Sequence, residues 1–185
     1  MSLYLGIDQS LTSTGVAVLA PGENLPRALF NISPGELRDG ARLAFIRAQL
    51  SACLDKHAIT QAALEGYAYA ATGKVFELGE VGGVLKCLLA ERSIPHVVVA
   101  PVLLKKFVCN FVGADKDDMR AAVLKKWQID IAQNDQCDAY GLAKVAQVYS
   151  GHLSGYREEL EVVKSLKTVK TTHLAVKRGR PRRSL

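Results

Sequence analysis

The sequence predicts an α/β fold, a mixed central β-sheet of about five strands flanked by helices. Three observations lead there. The first 33 residues hold three short apolar runs joined by tight turns, the pattern of an antiparallel meander. Two more strand-like runs follow, near residues 61–67 and 96–100, each preceded by a long stretch with helical periodicity. The remainder, to about residue 150, is helical in pattern, so the order is a mixed layer architecture and not a regular βα alternation.

Each element has a local reason. Leu3–Asp8 (Leu-Tyr-Leu-Gly-Ile-Asp) is an apolar strand, and the Ser-, Thr- and Gly-rich residues 9–15 are a turn. Residues 16–20 form the second strand, Pro21-Gly22-Glu23-Asn24 the next turn, and residues 27–33 the third strand. From Asp39 to His57, Leu43, Ile46, Leu50, Cys53, Leu54 and His57 fall at steps of three and four, one face of a helix. Gln61–Tyr67 reads as a short buried strand. Lys74–Arg92 reads as a helix weakened by Gly79, Gly82 and Gly83, each of which costs about 1 kcal/mol against Ala while letting another element, or DNA, come close. His96–Ala100 is a strand bounded by prolines. Short helices follow at 102–110 and 116–128, the second opened by Asp115, Asp117 and Asp118, which suit a helix N-terminus. Residues 134–150 form the last core helix, with Asn134 or Asp135 as N-cap.

The chain has 185 residues and a net charge of +6, from 24 basic and 18 acidic groups. The length suits one domain with a tail, expected as a body over 1–153 and a basic tail over 154–185. The charge is unevenly placed. From Val162 onward there are eight basic residues and no acid, leaving residues 1–161 at net −2. A detached polycation of this kind points to nucleic acid as partner, the alternative being a solubilising tail. The longest apolar stretches, such as Val97–Leu104, are under ten residues, too short for a membrane span. With no basic leader before Asp8, a cytoplasmic protein without a membrane partner is expected. Cys53, Cys87, Cys109 and Cys137 are widely spaced without a CxxC pair, and read as reduced, packed thiols.

The strongest chemical signal is acid in apolar elements. Asp8 ends the first strand, Glu65 follows Ala62-Ala63-Leu64, and Asp135 and Asp138, three apart, share a helix face. Each has a plain reading: Asp8 capping the turn through Ser10 or Thr12, Glu65 paired with a lysine, Asp135 an N-cap, Asp138 solvated. Together, four carboxylates brought into a fold centre need a cation. Oxygen donors with few His or Cys favour Mg²⁺ or Mn²⁺, and two such ions about 4 Å apart suit phosphodiester hydrolysis.

The residues around these acids carry a resemblance. Leu5-Gly6-Ile7-Asp8-Gln9-Ser10-Leu11-Thr12-Ser13-Thr14-Gly15 resembles the opening motif of RuvC-type Holliday junction resolvases. Ala63-Leu64-Glu65-Gly66-Tyr67-Ala68-Tyr69 resembles their second motif as written in bacteriophage members. Leu78-Gly79-Glu80-Val81-Gly82-Gly83-Val84 fits the glycine-rich helix after it. Ala100-Pro101 with Lys105, then Gly113-Ala114-Asp115-Lys116, resembles the DNA-binding stretch, and Asp135-Gln136-Cys137-Asp138-Ala139-Tyr140-Gly141-Leu142-Ala143 closes the ordered set.

The resemblance implies an RNase H-like fold and a homodimeric endonuclease that uses two Mg²⁺ per site, with Mn²⁺ as substitute, to cut four-way DNA junctions and leave 5′-phosphate and 3′-hydroxyl ends. Carried over, the metal ligands are Asp8, Glu65, Asp135 and Asp138. Lys105 and Lys116, with Lys106 beside them, contact DNA phosphates, and Tyr67 or Tyr69 packs on junction bases. The glycine-rich helix forms part of the dimer interface. Other branched DNA can be a substrate of phage members. Trp127, in a helix, reads as core and not as a base-stacking residue.

The tail adds a second motif. Lys177-Arg178-Gly179-Arg180-Pro181-Arg182-Arg183 matches an AT-hook, in which Gly lets the backbone approach the groove floor, Pro keeps the chain extended, and Arg178, Arg180, Arg182 and Arg183 with Lys177 enter a narrow A·T minor groove. A purely electrostatic tail is the alternative. Lys164, Lys167 and Lys170, spaced by three, fit either a helical phosphate-binding face or a disordered segment.

Two rival classes are weaker. The first motif also resembles the phosphate loop of sugar kinases and actin-like ATPases, but those need two domains and 185 residues are too few. A non-catalytic AT-rich DNA-binding protein on a nuclease-like fold would not need all four acids.

Overall fold

The computed structural model describes residues 2–67, 74–151 and 155–168. Its strands are β1 (Leu3–Asp8), β2 (Thr14–Leu19), β3 (Ala28–Ile32), β4 (Ile59–Glu65) and β5 (His96–Val99). The helices are α1 (Asp39–Lys56), α2 (Val75–Glu91), α3 (Pro101–Cys109), α4 (Lys116–Trp127), α5 (Asn134–Tyr149) and α6 (Arg157–Thr168).

The strands form one mixed sheet in the order β3-β2-β1-β4-β5. The short turns after β1 and β2 give antiparallel pairs. The β1–β4 and β4–β5 pairs are parallel, because α1 and α2 serve as the crossovers such pairs require. Parallel pairing of β1 with β4 puts the carboxyl ends of the two central strands at the same end of the sheet, where ligands collect in sheets of this kind.

Alternation along the strands builds two cores. Leu5 and Ile7 of β1, with Ala62 and Leu64 of β4, pack against Ile46, Leu50, Val81, Leu85 and Leu89 of α1 and α2. Tyr4 of β1 and Ala63 of β4 face the other way, onto Ala139, Tyr140 and Ala143 of α5 and Phe107 of α3. Continuing the period of two, Asp8 and Glu65 end their strands on the α5 side.

The structure moves two expected boundaries. β4 starts and ends two residues before the expected 61–67 strand, so Glu65 is its last residue and Tyr67 lies beyond the sheet. Gln133, not Asn134 or Asp135, is the N-cap of α5, and it makes no side-chain capping bond. Asp135 therefore sits inside the first turn with its carboxylate free for other partners. The acids before α4 do cap: Asp115 accepts from the Asp117 and Asp118 amides, and the Asp118 carboxylate accepts from the Asp115 amide.

Of the helical and disordered alternatives for the segment around Lys164 and Lys167, the chain takes the helical one, α6, as far as Thr168. The expected body–tail boundary at 153/154 falls just before it. Val162, Val163 and Leu166 are buried in the α3–α5 core. Glu159 of α6 is 4% exposed and accepts from Lys126 Nζ at 2.9 Å, while the same Nζ donates to the Phe107 carbonyl at 2.9 Å. Lys170 and the AT-hook-like segment 177–183 lie outside the described residues, as does Tyr69.

Trp127 packs edge-on to Tyr140, centroids 5.6 Å apart, in keeping with its reading as core. All four thiols are free. Cys53 and Cys137 are buried and Cys109 half-buried, but Cys87 is exposed, against the expectation of four packed thiols. No helix among the described residues is long and apolar enough to cross a membrane.

Candidate active site

Asp8 and Glu65 meet because of strand register. Ile7 pairs with Leu64, so the next residues on these parallel strands, Asp8 and Glu65, stand side by side. Across β1, Asp8 pairs with Gly15 of β2. The turn between them closes on itself: Thr14 Oγ1 donates to the Ser10 carbonyl at 2.9 Å, and Ser10 Oγ accepts from the Thr12 and Ser13 amides at 3.3 Å. With the turn held by its own hydroxyls, Asp8 is not needed as its cap.

The other two acids arrive on α5, which lies against the sheet backbone to backbone. A Cβ on Gly6 would sit 1.9 Å from the Ala139 carbonyl oxygen, and one on Gly15 would sit 2.1 Å from that of Asp135. Only glycine permits such an approach. It brings the first turn of α5, with Asp135 and Asp138, over the ends of β1 and β4.

The electrostatics record the crowding. Asp8 is 8% exposed, and its pKa is raised to about 10, first by burial, then by Glu65, with which it shares a hydrogen bond, and by Asp138 and Asp135. Burial also raises Glu65, whereas the Asp8 hydrogen bond and Lys105 pull it down. Burial and the neighbouring acids thus favour the protonated form of Asp8, which donates to Glu65. Burial, Glu65 and Asp135 raise Asp138 to about 7, opposed by Lys116 and Lys105. Among the described residues no three His, Cys, Asp or Glu side chains form a ready-made metal-holding group, so the acids converge without closing. The donor set is nonetheless the right one for a hard divalent cation: carboxylate oxygens only, mutually repelling, and partly protonated in its absence.

Beside the acids opens a cleft of about 230 Å³. Glu65 and Asp138 lie at one side, and Pro101, Leu104 and Lys105 of α3, with Asp115, Lys116 and Met119, form the walls.

A fold with these acids at these places invites comparison with known proteins. The family model for the crossover junction endodeoxyribonuclease RuvC matches residues 4–146. The chain belongs to the RuvC family.

Its curated RuvC relatives include those of Parasynechococcus marenigrum, 26% identical over 147 residues (75% of this chain, 94% of the relative), and Thermomicrobium roseum, 26% identical over 151 residues (79% and 93%). The fold matches Thermus thermophilus RuvC with a TM-score of 0.69 at 16% identity, covering 83% of this chain and 99% of that one. The same enzyme in complex with a Holliday junction substrate matches equally, at 18% identity. These structures share the five-stranded mixed sheet flanked by helices, the RNase H-like fold expected from the sequence.

Asp8, Glu65 and Asp138 are neighbours, and Asp135 lies with them over Gly15. Lys105 and Lys116 line the cleft, whereas Lys106 turns to α6, its Nζ 3.6 Å from Glu161. Tyr67 packs on α2: its hydroxyl donates to the Gly79 carbonyl at 3.3 Å, Lys86 Nζ lies 5.1 Å from its ring centroid, and a Cβ on Gly82 would strike its hydroxyl.

Sequence reasoning missed the residues that hold the acids. Gln9 is buried and donates to the Glu65 carbonyl at 2.7 Å, which fixes the end of β4. Asn31 Nδ2 donates to Ser13 Oγ at 2.6 Å and reaches Asp135 Oδ2 at 3.4 Å. The signal for Asn31 was an amide side chain in the otherwise apolar strand Ala-Leu-Phe-Asn-Ile. For Gly6 and Gly15 it was glycine inside strand patterns, a mark of close backbone approach.

Proposed function

We propose that this RuvC-family chain is a divalent-metal-dependent endodeoxyribonuclease that resolves four-way DNA junctions. The observation that carries the reading is the convergence of Asp8 and Glu65, from adjacent parallel strands, with Asp135 and Asp138 of α5, in a buried setting where the acids raise one another's pKa. The four acids would hold two Mg²⁺ ions, with Mn²⁺ as substitute. Bound there, such ions supply a nucleophilic water at neutral pH and stabilise the leaving oxygen of a phosphodiester. The residues of the chain do the rest. To hold such ions Asp8 would have to give up the proton it donates to Glu65. Gln9 and Asn31 keep Glu65 and Asp135 in place, and Lys105 and Lys116 hold the strand's phosphates over the acids. In-line attack by water leaves 5′-phosphate and 3′-hydroxyl ends.

The enzyme works as a homodimer that sets two sites on opposed strands. In support, α2 leaves Gly79 and Gly83 facing open space, and Gly83 borders an open groove with Leu43 and Val84. Three-way and fork DNA are further substrates, in line with the phage-like second motif. The segment 177–183 supplies a second, minor-groove contact, and the protein acts in the cytoplasm.

The test is cleavage of labelled four-way, three-way and linear DNA with Mg²⁺ and with EDTA. Metal-dependent cutting of the branched substrates, lost in Asp8→Asn and Glu65→Gln while junction binding persists, supports the reading. Wild-type cutting by both variants would sink the site assignment, and binding without any cutting would favour a non-catalytic DNA-binding protein.

A further inference from the structure

The loop between α3 and α4 carries an aromatic side chain that the fold does not use. Phe111 is 59% exposed and Val112 beside it 55%. The loop leaves α3 one turn after Lys105 and returns at Asp115 and Lys116, so it joins two walls of the acid-bearing cleft. The ring is seated and does not dangle: a Cβ on Gly113 would lie 2.7 Å from Phe111 Cζ, so the glycine leaves the space the ring occupies.

Among the described residues, Tyr67, Trp127 and Tyr140 are engaged elsewhere. Tyr67 has its hydroxyl on α2 and Lys86 over its ring, and Trp127 and Tyr140 pack on one another in the core. An exposed ring and an exposed Val side by side cost solvation, and they stand in the loop that joins the cleft walls carrying Lys105 on one side and Asp115 and Lys116 on the other. Lysines for phosphates with an aromatic face between them form the combination that binds unpaired or splayed nucleotides, since every base offers a π-face.

We propose that Phe111 stacks on a nucleobase of branched DNA at the mouth of the cleft, positioning the strand whose phosphate lies over the acids. This rests on the nuclease reading above. It assigns to the α3–α4 loop a contact with a base, in addition to the phosphate contacts of Lys105 and Lys116.

The experiment compares the full-length wild type with Phe111→Ala, Phe111→Leu and Phe111→Trp on a four-way junction carrying 2-aminopurine at the branch point. Because the ring is exposed, all three variants should keep the wild-type melting temperature. Phe111→Ala should lose about 5- to 150-fold in kcat/KM, mostly through KM, and Trp but not Leu should restore it. In the bound complex the 2-aminopurine should be quenched by wild type and by Phe111→Trp and brighter with Phe111→Ala. Wild-type kinetics and fluorescence in Phe111→Ala, or rescue by Leu as complete as by Trp, would overturn the proposal. The fluorescence arm requires binding only. If the wild-type protein binds junctions but cuts none, the nuclease reading fails while the Phe111 contact is still decided by the 2-aminopurine signal.

Discussion

A Cβ on Gly15 would lie 2.1 Å from the carbonyl oxygen of Asp135, so β2 and α5 touch backbone to backbone where the acids gather. Neither partner can yield by rotating a side chain. Gly15→Ala is expected to cost about 3 kcal/mol or more, as overpacking of rigid elements does. In protein that still folds, α5 is pushed away and cleavage should fall at least about 100-fold, the usual result of misplacing a catalytic group by an ångström. Urea denaturation with a cleavage assay checks both. A Gly15→Ala protein of wild-type stability would contradict the packing described.

Metal-free protein should lose stability as pH rises. Asp8 sits at about 10 and Asp138 at about 7, against an ordinary value of 3.8. The folded state thus holds protons that the unfolded chain has released above about pH 4. The stability linked to those protons is complete below that pH and is lost as pH rises, through 7 for Asp138 and 10 for Asp8. From pH 6 to pH 8 in EDTA the loss should be on the order of 4 kcal/mol, about two thirds of it from Asp8. Thermal melts at the two pH values measure it, and Asp8→Asn should flatten most of the difference. Added Mg²⁺ should raise the melting temperature more at pH 8 than at pH 6, because cation binding then competes with fewer protons.

Asn31 tests the support of the acids. Asn31→Ala removes the donor that reaches Asp135 while leaving all four carboxylates intact. The Mg²⁺ concentration for half-maximal cleavage should rise about tenfold or more, as for other groups that orient metal ligands. Junction affinity measured in EDTA should stay unchanged. A shift in that affinity with no change in metal dependence would count against the assigned role.

The C-terminal region should divide at Thr168. Truncation after Thr168 keeps the buried Val162, Val163 and Leu166 and should leave the melting temperature within a degree or two. It removes six of the eight tail cations. The salt dependence of duplex binding should then flatten by about 0.9 in log–log slope for each DNA phosphate that the tail no longer neutralises. By contrast, Glu159→Ala leaves Lys126 Nζ with the Phe107 carbonyl but without its carboxylate, and takes the acceptor from the Tyr156 amide, so it should destabilise the fold by about 1–3 kcal/mol. An unchanged salt slope after truncation would remove the tail from DNA binding.

Local chemistry explains why much of this was readable in advance. β1 runs from Leu3 to Asp8 as expected because its apolar run ends at a charge and a Ser/Thr turn. The four acids stood out because carboxylates are unusual in apolar elements. What remained hidden depended on contacts between distant segments. The end of β4 at Glu65 is set by pairing with β1 and β5, and the capacity of α6 to fold by the Lys126–Glu159 pair and the α3–α5 surface. The contacts of Tyr67 with Gly79, Gly82 and Lys86 were hidden too, since nothing in its neighbours shows which side the chain takes after leaving the sheet.

The division of the acids between the early strands and α5 has a consequence for biosynthesis. Asp8 and Glu65 emerge from the ribosome long before Asp135 and Asp138, and domains mature from the N-terminus onward. A nascent or prematurely ended chain lacking α5 has half of the acid set and lacks the helix that covers the Tyr4 face of the sheet. On the nuclease reading proposed above, the capacity to cut is therefore withheld until α5 docks, an order set by translation itself.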